Sequence, residues 1–211
     1  MSTVLSELEL DALTEIVNIG VNRAAAGLRE MIGEQVLLSV PEVTLVSRDQ
    51  AIAMLAANEA NQLVGIHQVF EGDITGRALL IFPDTKSLEL VKAVAGADLS
   101  LEEIIELEQE ALAEIGNIVL NGCMATMANL LQRNLRMSLP EILRGEPVVF
   151  FTLKPPPDAG EVVMFLYINF AIRNRDIRGY IAMLMDLPSI AALHVLLGEF
   201  IERTAGGDAL E

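Results

Sequence analysis

Two sets of acids and amides recur in this chain at one spacing. Asp11, Glu15, Asn18 and Asn22 stand four, three and four residues apart, and Glu110, Glu114, Asn117 and Asn121 repeat those intervals. On a helix, such intervals place side chains on one face. A carboxamide both donates and accepts hydrogen bonds without carrying charge, whereas the carboxylate beside it only accepts and suits a cationic partner. The plainer alternative is a solvated helix face. Two features count against it. Asn in mid-helix costs roughly half a kcal/mol relative to Ala, yet it appears twice in each set at matching positions. A proline also follows each set at the same distance, Pro41 coming 23 residues after Asn18 and Pro140 coming 23 after Asn117.

The segments carrying these residues are copies of each other. ELDALTEIVNIGVNRAAAG from Glu9 and EQEALAEIGNIVLNGCMAT from Glu108 align at an offset of 99, without a gap as far as Glu42 and Glu141. Identities include Glu9/Glu108, Glu15/Glu114, Asn18/Asn117, Asn22/Asn121, Ser39/Ser138 and Pro41/Pro140. A later echo pairs Gly76 with Gly179, Ser87 with Ser189 and Gly96 with Gly198, at offsets of 103 and 102. One long repeat occurring twice is a duplicated domain, in contrast to a solenoid of many short units.

Periodicity predicts the elements that carry the two sets. Ser6 to Met31 is a helix with apolar residues stepping by three and four, opened by a Ser6/Glu9 capping box and stopped at Gly33. Val36 to Val46 is extended and broken by Pro41. Arg48 to Asn58 is a short helix, Gly65 to Glu71 and Arg77 to Phe82 are strands around a glycine turn, and Asp84 to Ala95 is a helix ended by Gly96. In the second half, Leu101 to Leu131 is a helix and Val148 to Leu153 a strand. KPPPDAGE from Lys154 is a loop, Val162 to Ile172 and Tyr180 to Met185 are strands, and Pro188 to Glu202 is a helix with Pro in its first turn. Strands joined by turns imply antiparallel pairing. The expected class is α+β, an internally duplicated, pseudo-two-fold domain with an antiparallel sheet and two long helices. One domain over 1–204 is expected, with halves at about 4–98 and 103–202, followed by a frayed tail at 205–211.

The 211 residues hold 52% hydrophobic and 21% charged residues, too apolar a mixture for disorder. With no Trp and 4% aromatics, the core must be aliphatic. Fourteen Lys and Arg against thirty Asp and Glu leave a net charge of −16. That argues against a nucleic-acid partner and an anionic membrane surface, and suits a protein partner with basic features. Ile181 to Ile201 is interrupted by Asp186, Pro188, His194 and Glu199, so no membrane span is expected. With no signal-peptide pattern and a single cysteine, Cys123, a cytoplasmic location follows as the default. There is no P-loop, no GxSxG and no metal-spaced His/Cys cluster, so no metal site is assigned. His67 and His194 are read as structural or surface residues, and Cys123, Met124, Met127 and Met137 as core.

The pattern Asp11-x3-Glu15-x2-Asn18-x22-Pro41 resembles the signature of the CheC/CheX/FliY phosphatases of chemotaxis. The second copy matches from Glu114 through Asn117 to Pro140. It departs at Glu110, where the family usually has Asp or Ser. Two motifs in a chain of this length are most like CheC. The resemblance implies a phosphatase acting on the aspartyl phosphate of a CheY-like response regulator. Asn18 and Asn117 would orient the attacking water, and Glu15 and Glu114 would pair with the receiver's lysine. Asp11, Asn22, Glu110 and Asn121 would flank the partner. The protein needs no cofactor of its own, Mg2+ being supplied by the receiver. The acidic surface would steer towards that lysine. The alternative is a non-catalytic adaptor that binds a phospho-receiver or CheD, the chemoreceptor deamidase, through the last helix. The more apolar surroundings of the second ridge imply that Asn117 is less accessible than Asn18.

Overall fold

A computed structural model describes residues 5–33, 35–40, 43–59, 62–95, 100–152, 161–172 and 175–207. Its elements run α1 (Glu7–Ile32), β1 (Val36–Ser39), β2 (Val43–Ser47), α2 (Arg48–Asn58), β3 (Leu63–Gly72), β4 (Gly76–Pro83), α3 (Asp84–Ala95) and α4 (Leu101–Leu130). There follow β5 (Leu135–Met137), β6 (Glu141–Gly145), α5 (Pro147–Thr152), β7 (Glu161–Ile172), β8 (Arg175–Asp186) and α6 (Leu187–Gly207). The fold is α+β, with one antiparallel sheet and two long helices packed together, as the sequence implies.

The sheet shows how the halves interlock. Its path is β1-β7-β8-β4-β3-β5, with β2 also on β7 and β6 also on β3. Each half therefore places its first two strands on the long hairpin of the other half. The hairpins meet at β4–β8, where Leu79 lies opposite Ala182, its own counterpart 103 residues on. A pseudo-two-fold axis passes through that pair. The outer registers agree with it. Leu38 faces Phe170, and its repeat mate Met137 faces Phe70, which fixes the β3-to-β7 offset at 100.

Alternation along the strands divides the core between the two faces. Leu80 and Phe82 point to the face covered by α1, α3, α4 and α6, while Leu79 and Ile81 point to the face covered by α2 and α5. Phe150 and Phe151 of α5 anchor that second layer with Ala51 and Leu55 of α2. This corrects the strand expected at Val148 to Leu153: the chain is helical over Pro147–Thr152, and Leu153 lies outside the described residues. The run of Val and Phe favours a strand locally, but burial of both Phe side chains beneath the sheet decides for helix. Strands β5 and β6, unforeseen in the second half, stand 99 residues after β1 and β2. Helix α6 continues to Gly207, past the start of the tail expected from residue 205. Pro41, Gly96, most of the KPPPDAGE loop and residues 208–211 lie outside the described residues.

By length and hydropathy, α4 is the one described helix that could cross a membrane, but 56% of that window is buried inside the fold. Its apolar residues serve the core.

Candidate functional site

Helices α1 and α4 set the geometry. Ser6 opens α1 with a complete capping box, its backbone N–H donating to Glu9 Oε2 at 2.8 Å. Ser100 opens α4 in the same way with Glu103. At their far ends both chains turn through the left-handed region at equivalent positions, Gly33 at φ 72° and Gln132 at φ 55°. The two helices pass close together in opposite senses. A Cβ added at Gly20 would lie 2.9 Å from Cys123 Cα, and one at Gly122 would lie 3.1 Å from Ala24 Cβ. This contact strip leaves the polar residues out.

On α1, Asp11, Glu15 and Asn22 are exposed and Asn18 is half-buried. On α4, Glu110 and Glu114 are exposed, whereas Asn117 and Asn121 are both half-buried. In each copy an exposed carboxylate thus stands one turn before a partly sheltered carboxamide. Asn18 and Asn117 are thus both half-buried. The difference lies one turn further on, at Asn121 and Asn22. No hydrogen bond or ion pair joins one ridge to the other among the described residues.

The second ridge has support that sequence reasoning missed. Asn121 Nδ2 donates to Asn117 Oδ1 at 2.6 Å. Gln68, on β3 and fully buried, donates from Nε2 to the Ser138 carbonyl at 2.8 Å and to Asn121 Oδ1 at 3.4 Å. Ser138 is fastened to β3 by its own N–H to the Val69 carbonyl and by the Val69 N–H to its Oγ. The segment just before Pro140 is therefore tied to the same glutamine as the asparagine pair. The one available signal was a glutamine inside LVGIHQVF, an otherwise apolar strand apart from His67. On α1 the ridge instead runs on into an open groove of about 640 Å³ lined by Asn22, Ala26, Arg29 and Glu30. Pro41 lies outside the described residues.

The remaining titratable groups secure the scaffold. Burial raises the Glu9 carboxyl, but hydrogen bonds from Ser6 and the neighbouring His194 outweigh it and hold the group below its ordinary 4.5. The Glu9–His194 pair ties α1 to α6. Glu108, the repeat mate of Glu9, accepts from Ser87 Oγ at 2.6 Å and pairs with Arg144 at 2.6 Å. Burial pushes the Cys123 thiol up to about 12, which makes it inert as a nucleophile. His67 lies 3.7 Å from Glu141 across β3 and β6. Among the described residues, no group of three or more His, Cys, Asp or Glu could hold a metal ion.

No family model matches the chain. The chain is 25% identical over 201 residues to the CheY-P phosphatase CheC of Bacillus subtilis, covering 92% of this chain and 96% of that protein. In fold it resembles FliY of Thermotoga maritima, with a TM-score of 0.72 and 16% identity over 93% of this chain and 99% of the other. FliM from H. pylori, in its complex with SpeE, has the same fold at a TM-score of 0.64 and 12% identity, over 93% and 97% of the two chains. Sequence likeness along nearly the whole chain, joined to this fold, makes the chain a homologue of the CheC/CheX/FliY chemotaxis-phosphatase superfamily.

Proposed function

We propose that this chain is a CheC-like phosphatase that hydrolyses the aspartyl phosphate of a CheY-like response regulator in the cytoplasm. The observation that carries the reading is the paired exposed Glu and half-buried Asn, presented one turn apart on two helices of one duplicated fold. Phosphoryl transfer needs chiefly charge neutralisation and a nucleophile held in line with the leaving oxygen. The receiver's Mg2+ supplies the first when bound. The carboxamides of Asn18 and Asn117 supply the second. Each can accept from a water through Oδ1 and donate through Nδ2, and a neutral group there does not repel the phosphoryl oxygens. Glu15 and Glu114, exposed one turn earlier, pair with the receiver's lysine and fix the docking register. Asp11, Asn22, Glu110 and Asn121 border the same contact. We take residues 1–204 to act as one domain, because each half's first two strands lie on the other half's hairpin.

The competing adaptor reading draws on α6, where Val195 is 59% exposed and could meet a protein such as CheD. Loss of phosphate from a phosphorylated receiver, followed with binding in the same samples, separates the two. Binding with acceleration supports the phosphatase. Binding without acceleration supports the adaptor.

A further inference from the structure

The two ridges share their residue types but differ in what stands behind them. Position 68 on β3 is Gln, and its counterpart on β7, 100 residues on, is Ile168; both are fully buried. A carboxamide buried in a strand loses its water and must be compensated by hydrogen bonds. Gln68 uses its Nε2 on the Ser138 carbonyl and Asn121 Oδ1, while its Oε1 has no partner among the described residues. The donor half of this side chain is thus committed to the second ridge.

We propose that Gln68 is a positioning residue for the second site alone. It holds Asn121 so that Asn121 Nδ2 in turn holds Asn117 Oδ1, at 2.6 Å. This fixes the amide plane of Asn117. One lone pair of Oδ1 is taken, and the other lone pair and the Nδ2 donors remain free for a water and a phosphoryl oxygen. Through Ser138 the same glutamine locks the segment leading to Pro140, so the motif's proline and its asparagine are held by one buried side chain. On α1, no side-chain hydrogen bond holds Asn18 among the described residues, and Ile168 can offer none. The second site is therefore pre-organised and the first orders on docking. Displacing a catalytic group by about 1 Å can cut a rate up to a hundredfold.

This inference rests on the phosphatase reading, so its test carries one readout that needs no catalysis. The full chain is compared with Gln68→Met, which keeps the volume and removes both the donor and the orphaned acceptor, and with Gln68→Leu, which removes both with a branched apolar side chain. In 15N-labelled protein, the Asn117 and Asn121 side-chain amide signals should be dispersed and rigid in the parent and averaged in both variants. The Asn18 signal should not move. In an Asn18→Ala background, with a CheY-like receiver phosphorylated by acetyl phosphate, Gln68→Met should lower the rate at saturation about tenfold and leave half-saturation unchanged. Unchanged Asn117 amide signals in folded Gln68→Met overturn the positioning role. Averaged signals in a chain whose parent shows no phosphatase activity uphold the positioning and sink the phosphatase reading instead. Averaged signals with an unchanged rate overturn the claim that this positioning serves the reaction.

Discussion

The ridge on α1 and the ridge on α4 are the same four positions of a duplicated sequence in two different settings. On α4 the amides are chained to one another and to a buried glutamine; on α1 Asn22 is exposed and borders an open groove. Duplication preserved the ridge residues while the layer beneath them diverged. Val40 and Leu139 show the same split, being counterparts that are 5% and 85% exposed. A motif therefore reports what a surface can do, and the residues behind it decide how firmly that surface is held.

The comparison is broken most severely if the halves can stand apart. Because β1 and β2 lie on β7, and β5 and β6 lie on β3, either half alone would expose unpaired strands. Residues 1–98 expressed alone should lack a cooperative unfolding transition by circular dichroism. A cooperative transition in that fragment would refute the interlocked account.

A second test makes the halves more alike and should fail for a reason of packing. Gly20 is the counterpart of the buried Val119, so Gly20→Val restores the repeat. Its Cβ would meet the Cys123 backbone at 2.9 Å. A loss of about 3 kcal/mol in urea unfolding is expected, at the upper end of overpacking costs. Gly27→Ala, whose Cβ would meet only the Ile118 side chain, should lose less.

The helix ends give a smaller and opposite pair of effects. Gln132 carries in the left-handed region the strain that Gly33 avoids. Gln132→Gly should therefore gain about 1 kcal/mol and Gly33→Ala lose about 1 kcal/mol. Equal signs in thermal unfolding would mean that the two caps are not equivalent.

The smallest expected effect concerns pH. The Glu9 carboxyl lies below its ordinary 4.5 in the folded chain. Its contribution is thus fully present above that value and is lost as pH falls through the lower, folded value. The urea midpoint of the parent should exceed that of Glu9→Gln at neutral pH, and the gap should shrink in acid. A gap independent of pH would remove the ionised Glu9 from the account.

Much of this was legible in the chain. The 99-residue offset and the helical steps give both long helices within a residue or two of their ends, and the Glu/Asn ridges with them. The strand expected at Val148 to Leu153 failed because local propensity was followed where the repeat already pointed to helix, Pro147 standing 99 residues after Arg48. For the Gln68 support, the sequence offered only a glutamine in an apolar strand and nothing of its partners. It joins β3 to α4 and to the segment after β5, across 53 and 70 residues, and only the crossed sheet brings these together.

The central claim is catalytic, and it is met most directly by the decay rate of an aspartyl phosphate on a CheY-like receiver, with the intact chain, Asn18→Ala, Asn117→Ala and the double variant added in turn. The account predicts acceleration by the intact chain and a larger loss for Asn117→Ala than for Asn18→Ala. The double variant should still bind the receiver but be slowed roughly a hundredfold, the order expected when a positioned nucleophile is lost. A double variant that binds and accelerates as fully as the intact chain would contradict it.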